Sequence, residues 1–327
     1  MLEIVLFITV IIASLGALGW GANRFVTGAS GLAYSFGVSP MIIGLTIVAF
    51  GTSSPEMLVA IMSSIQGNSG IAIGNAIGSN IANIALVLGA TALISPMTVR
   101  SQTLKREFPL MLLVMLTSLA LIWDGWFSRL DGLLLLSGMM MVVFWTIHLA
   151  RNAPPDDMLK TEFIAEMPTI VSTKRTGWML LSGLLLLLIS SRLMVWGTVN
   201  IANALGISDL VIGLTIVAIG TSLPELASTA VAAYKGEHDI AIGNVVGSNM
   251  FNMLAVFGIA GVISPGSFDT AVLTRDFPLM IGLTVALYLM AKGLRNSSYG
   301  RIQRWEGGVL LTVFVTYQAY LFIGAAV

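Results

Sequence analysis

Long apolar stretches, separated by short polar or helix-breaking runs, recur from one end of the chain to the other. About 20 consecutive apolar residues let a helix cross the hydrocarbon layer of a bilayer. By that measure the pattern predicts an all-α membrane protein of about ten transmembrane helices. They fall at roughly 2–34, 38–65, 70–95, 106–123, 128–149, 177–204, 207–233, 238–264, 276–292 and 305–325. The first stretch opens on Glu3 rather than a basic cluster and stays apolar too long for a cleaved secretory signal, so it reads as a retained span.

Composition agrees with this picture. Of the 327 residues 56% are hydrophobic and 10% charged, against roughly 25% charged in soluble domains. The absence of cysteine excludes disulfides and thiolate metal sites. A net charge of zero names no partner; a lipid bilayer is expected around the chain and no nucleic acid, and the oligomeric state is unread. Basic residues favour the cytoplasmic side of membrane loops. With ten spans and the N-terminus outside, twelve Lys and Arg fall in inside loops, and only Arg129 and Arg275 in outside ones. The expected location is thus the cytoplasmic membrane, multi-pass, with both termini outside.

Sliding the chain along itself by 169 residues aligns 37–111 with 206–280 without a gap, and 35 of the 75 pairs are identical. Gly51-Thr-Ser-Ser-Pro-Glu56 returns as Gly220-Thr-Ser-Leu-Pro-Glu225, and Gly74-Asn-Ala-Ile-Gly-Ser-Asn80 as Gly243-Asn-Val-Val-Gly-Ser-Asn249. Five spans per copy is an odd number, so the second copy enters the membrane upside down. The expected organisation is a first five-helix repeat over 1–150, a cytoplasmic linker over 151–176 and a second, inverted five-helix repeat over 177–327. Inverted repeats are common in secondary transporters, whose substrates bind near the midplane between the halves.

The identities concentrate on polar and helix-breaking residues. Glu56 and Glu225 fall well inside spans two and seven, where a charge costs about 2.5–3.5 kcal/mol on insertion scales. The intramembrane cations are Arg24 and Arg192; if both snorkel to an interface, a bound metal ion is the natural counter-charge. The alternative is a structural ion pair or a protonated packing residue. Pro55 and Pro224 each break a helical hydrogen bond one residue before the acid, and carbonyls freed at membrane depth must face protein or a polar cavity. Gly74 and Gly78, like Gly243 and Gly247, form a face for close helix approach. Ser79 and Asn83, with echoes Ser248 and Asn252, are spaced four apart and point the same way, toward the cavity. Asn75, Asn80, Asn244 and Asn249 read instead as helix-to-helix hydrogen-bonding groups. The ligands are all oxygens, which suit calcium-like hard cations.

These paired elements resemble the two alpha-repeats of the sodium/calcium exchanger family, within the calcium/cation antiporter superfamily, and the short linker points to a prokaryotic type. The resemblance implies alternating-access exchange of sodium and calcium, transported ions with no resident cofactor. It places calcium on Glu56 and Glu225 with the carbonyls of Thr52 and Thr221. Sodium goes to Ala49, Ser53, Ser79, Asn83, Ala218, Ser222 and Ser248, and the long first and sixth spans become a sliding pair. Family members often carry aspartate where this chain has Asn252, which leaves the site at most two carboxylates. Calcium/proton exchange is the second reading, because a buried glutamate takes up a proton readily. A channel or a membrane enzyme ranks below both; His-Glu-x-x-His is absent.

Overall fold

A computed structural model describes residues 2–35, 53–152, 173–234, 236, 238–292 and 299–325. In chain order the helices begin with α1 (Leu2–Ser35), α2 (Ser54–Ile65) and α3 (Ser69–Ala82). The third runs through a π-helical segment π1 (Asn83–Leu88) into α4 (Gly89–Ile94). Next come β1 (Met97–Arg100), α5 (Ser101–Leu121), β2 (Trp126–Phe127), α6 (Arg129–Asn152) and α7 (Thr173–Leu205). Then α8 (Asp209–Ile212), π2 (Gly213–Val217), α9 (Ala218–Thr221) and α10 (Leu223–Tyr234) form one broken rod. It is followed by α11 (His238–Phe251), π3 (Asn252–Val256), α12 (Phe257–Ile263) and β3 (Gly266–Ser267). The chain closes with π4 (Val272–Asp276), α13 (Phe277–Lys292), β4 (Tyr299–Ile302) and α14 (Arg304–Ala325).

Among the described residues seven helices are long and apolar enough to cross a membrane, eight if the rod bent by 43° between Thr221 and Leu223 counts as one. Ser54–Ile65 and Glu107–Leu121 are apolar but shorter. The span expected over 38–65 is described only from Ser53 onward, and most of the 151–176 linker lies outside the described residues. The π segments were not expected: hydrophobic periodicity does not separate a one-residue insertion from an ordinary helical turn.

Local chemistry explains the boundaries. Gly67 and Gly236, 169 residues apart, take φ of 83° and 81°, a left-handed conformation open to glycine without steric cost. Their N–H groups close matching turns on the carbonyls of Ser64 (3.2 Å) and Ala233 (3.1 Å). At the start of α6, the Asp131 carboxylate accepts from the Ser128 N–H (2.8 Å) while the Ser128 hydroxyl accepts from the Asp131 N–H (3.2 Å), a reciprocal cap.

Two antiparallel ribbons join distant parts of the chain. Met97 pairs with Ile302 and Arg100 with Tyr299 in one; Trp126 pairs with Ser267 and Phe127 with Gly266 in the other. In the interior, α3 packs on π2 and α9, and α5 on α13. Met115 of α5 and Thr284 of α13 stand 169 residues apart, and the Thr284 hydroxyl reaches the Met115 sulfur at 3.2 Å. α1 and α7 lie along each other, brought close by Gly21, Gly28 and Gly183. Their buried side chains Ile11, Leu18, Leu187 and Met194 join Val59, Ile212 and Val217 in an apolar cluster separate from the main core.

Gly74 stands backbone to backbone against the segment that begins at Leu210. A Cβ there would meet the Leu210 carbonyl oxygen at 2.5 Å and the Gly213 Cα at 2.9 Å. Gly282→Ala, where a Cβ meets nothing within 4 Å, should be neutral or stabilising, since alanine favours helix. Gly74→Ala should instead destabilise by about 1–3 kcal/mol through overpacking. Thermal unfolding of the purified variants in detergent measures both.

Candidate functional site

The two prolines start helices rather than merely kinking them. Pro55 and Pro224 sit in the first turns of α2 and α10, and the serine before each turn has nearly the same backbone: Ser53 at φ −90°, ψ 7° and Ser222 at φ −85°, ψ 2°. This is the sparsely allowed bridge region, often occupied at functional sites. The helices restart from those serines, with Met57 N–H on the Ser53 carbonyl (3.1 Å) and Leu226 N–H on the Ser222 carbonyl (3.0 Å). Glu56 and Glu225 therefore both stand in the first turn of a helix. The positive end of the helix dipole favours a carboxylate there by about 0.3–1 kcal/mol.

That contribution does not offset burial. Glu56 is 1% exposed and Glu225 2%, and the two carboxylates lie close enough to act electrostatically on one another. Among the described residues neither has a basic partner. Arg24 donates to the Ser182 hydroxyl at 3.1 Å and lies over the Trp20 ring, and Arg192 is exposed. Among the described residues, the structural ion pair left open by the sequence is not formed. Asp276 provides an internal contrast. It is fully buried too, but Arg275 Nε donates to it at 2.6 Å and the Tyr317 hydroxyl at 2.7 Å.

The walls around the glutamates carry oxygens. π1 packs on α10 and α11, while π3 packs on α2 and α3, so the asparagine that opens each π segment faces the opposite half of the chain. Among the described residues, eleven buried side-chain polar atoms lack a hydrogen-bond partner. Five of them are oxygens of the predicted set: Glu56 Oε2, Glu225 Oε2, Ser222 Oγ, Asn83 Oδ1 and Asn252 Oδ1. Unpaired buried acceptors are costly, and a cation is the ligand that satisfies acceptors alone.

The remaining predicted residues are placed as follows. Ser53, Ser79 and Ser248 are buried. Ala218 is buried, its carbonyl accepting from the Ser222 N–H at 3.1 Å. The Thr221 hydroxyl donates to the Val217 carbonyl (3.1 Å) and Asn75 Oδ1 (3.2 Å), and lies near the Glu56 carboxylate. Ala49 and Thr52 lie outside the described residues. The asparagines read as structural link elements in three cases. Asn75 donates to the Glu56 carbonyl (3.3 Å), Asn244 to Ser228 and Thr229 (2.9 and 3.0 Å), and Asn249 accepts from Asn83 (3.1 Å). Asn80 instead donates to the Ala76 carbonyl of its own helix at 2.8 Å.

Twin acids at matched helix starts, walled by neutral oxygens, are the setting in which sequence relatives become informative. The family model described as sodium/calcium exchanger protein matches residues 6–149 and 176–323. The chain belongs to the sodium/calcium exchanger family. It is 50% identical over 313 residues to the putative antiporter CaxA of Alkalimonas amylolytica, covering 95% of this chain and 97% of that one. It is 33% identical over 349 residues to the sodium/calcium exchanger MaX1 of Methanosarcina acetivorans, covering 92% and 94%. A solved structure of the sodium-calcium exchanger NCX_Mj, soaked with 10 mM Na+ and 10 mM Sr2+, superposes with a TM-score of 0.64 at 32% identity, over 97% and 98% of the two chains. The family is one of membrane exchangers of sodium and calcium, not of enzymes.

Sequence reasoning about this exchanger-family chain missed Asp276. Arg275 counted as an outside-loop residue, yet its side chain is 26% exposed and paired with the buried Asp276. The recurring Arg-acid-Phe-Pro element at 106–109 and 275–278 was the available signal. Asn83 Nδ2 to Asn249 Oδ1 ties α11 to π1 across the two halves. Asn249→Ala should strand the Asn83 donor and lower stability by about 1–3 kcal/mol, read by thermal unfolding. An unchanged melting temperature would show that the tie contributes nothing.

Proposed function

We propose that the chain is a secondary active antiporter that exchanges sodium for calcium by alternating access. The observation that carries this is the pair of buried carboxylates at Glu56 and Glu225, which among the described residues have no basic partner, together with three further unpartnered oxygens of the predicted set. Two ionised glutamates match one divalent ion or two monovalent ions, and every donor is a hard oxygen, as calcium and sodium require. Calcium is held by Glu56 and Glu225 with Thr52 and Thr221. Sodium uses Ala49, Ser53, Ser79, Asn83, Ala218, Ser222 and Ser248, with Asn252 supplying an amide oxygen. The ions are cargo, and the transporter holds no cofactor.

In this reading the chain has ten spans in two inverted five-helix repeats, 1–150 and 177–327, joined by a linker over 151–176. Several features support it. The turns at Gly67 and Gly236 match, as do the bridge-region serines. Met115 and Thr284, related by the 169-residue shift, touch, as repeat-related residues do where an axis between two copies passes. The separate apolar cluster of α1 and α7 suits a pair of helices that slides along the remainder. Both termini lie outside the cytoplasmic membrane. Because the chain has no cysteine, a single cysteine placed at Asp156 should react with a membrane-impermeant maleimide only after cells are opened. Labelling of intact cells would reverse the orientation.

Sodium-loaded proteoliposomes diluted into sodium-free buffer should accumulate calcium, and collapsing the sodium gradient should stop uptake. Glu56→Gln and Glu225→Gln should each reduce uptake to background, roughly a hundred-fold or more for loss of a buried charged ligand, with the folded protein retained in the membrane. Uptake driven by a pH gradient without sodium would favour calcium/proton exchange, and single-channel currents would favour a pore. Full transport by both glutamine variants would overturn the site.

A further inference from the structure

We propose that Asn75 is a positioning residue of the ion site. It holds the turn that carries Glu56, turns the hydroxyl proton of Ser79 away from the cation and anchors Thr221 of the opposite half, and its echo Asn244 does none of these. The role rests on the exchanger reading above and deepens it.

Asn75 is fully buried in α3. Its Nδ2 donates to the Glu56 carbonyl at 3.3 Å, and its Oδ1 accepts from the Ser79 hydroxyl at 3.4 Å and the Thr221 hydroxyl at 3.2 Å. The amide faces one way only, because reversing it would set Oδ1 against the Glu56 carbonyl oxygen, acceptor against acceptor. A hydroxyl that coordinates a cation must present a lone pair, so its single proton has to find an acceptor elsewhere. Asn75 Oδ1 supplies that acceptor to Ser79 of its own helix, and shares the Thr221 proton of the opposite half with the Val217 carbonyl, 3.1 Å from that hydroxyl. Thr221 also lies against the Glu56 carboxylate. Asn75 thus ties the turn that carries Glu56 in α2 to Thr221 of α9.

The duplicated copy is wired differently. Asn244 Nδ2 donates to the Ser228 hydroxyl at 2.9 Å and the Thr229 hydroxyl at 3.0 Å, and Ser228 itself occupies the Glu225 carbonyl at 3.1 Å. The positions matching Ser228 and Thr229 in the first copy are Val59 and Ala60, which carry no hydroxyl. Two side chains one turn beyond the acid therefore decide whether the asparagine reaches the site. Among the described residues of the first half nothing competes for its N–H, and it reaches the glutamate turn directly.

The test uses the full chain in sodium-loaded proteoliposomes, with apparent calcium KM and kcat measured separately. Asn75→Ala should raise the calcium KM about ten-fold or more, the usual scale for a residue that orients ligands, while Asn244→Ala leaves it within about two-fold. The double change Val59→Ser with Ala60→Thr conserves volume and offers Asn75 the partners that divert Asn244. It should raise the calcium KM in the same direction with Asn75 intact, and it decides the matter if Asn75→Ala does not fold. Equal KM shifts for Asn75→Ala and Asn244→Ala would overturn the role. So would a loss of amplitude at unchanged KM, which is what a merely structural asparagine gives. A wild-type protein that takes up no calcium in the same vesicles would overturn the exchanger reading and this role with it.

Discussion

Two carboxylates buried in a membrane protein, without a basic neighbour among the described residues, are the constraint around which the rest of this chain is organised. The same fold shows what an acid does when its only task is structural: Asp276 is buried and tied to both Arg275 and Tyr317. Glu56 and Glu225 are buried equally well and have no such tie. Their partial compensation comes from helix starts, whose N-terminal ends favour negative charge by fractions of a kcal/mol. That is small against the cost of a charge in hydrocarbon, and in the proposed exchange the cation supplies the balance.

The remaining architecture follows from placing those acids. Each proline stands in the first turn of a helix, which places the acid beside it at a helix N-terminus. π segments begin at Asn83 and Asn252, where the extra residue per turn re-aims the wall of the site toward the opposite half. Glycine contacts at Gly74 and Gly213 let α3 and π2 approach backbone to backbone, which brings Thr221 within reach of Asn75. α1 and α7 remain outside this block, packed on it through their own apolar cluster.

The duplication, the broken helices and the twin acids were all legible in the sequence, because they depend on residue types that apolar spans rarely tolerate. The three asparagine links at 75, 244 and 249 were legible for the same reason: amides inside a membrane must find partners. Other features were not. The π segments leave no mark on hydrophobic periodicity, and the ribbons are too short for a strand signal. The near-identity of the two copies also suggested equivalence, and the contacts do not respect it. Val59 against Ser228 is one of the unmatched pairs in the alignment, and it redirects an identical asparagine. Identity at the polar positions hid a difference written in the residues beside them. Arg275 was read by its place in a presumed loop, when its neighbour Asp276 was the residue it serves.

The ribbons carry a consequence for biogenesis. Met97 of β1 pairs with Ile302 of β4, so a strand made early must wait for about 200 further residues to emerge, a contact of very high sequence separation. The other ribbon likewise borrows one strand from each half. Until the last helix is delivered, β1 presents unpaired backbone groups of the sort that recruit the wrong partner. Each ribbon thus joins a strand made early to one made late, and its closure waits on the later stretch of the polypeptide.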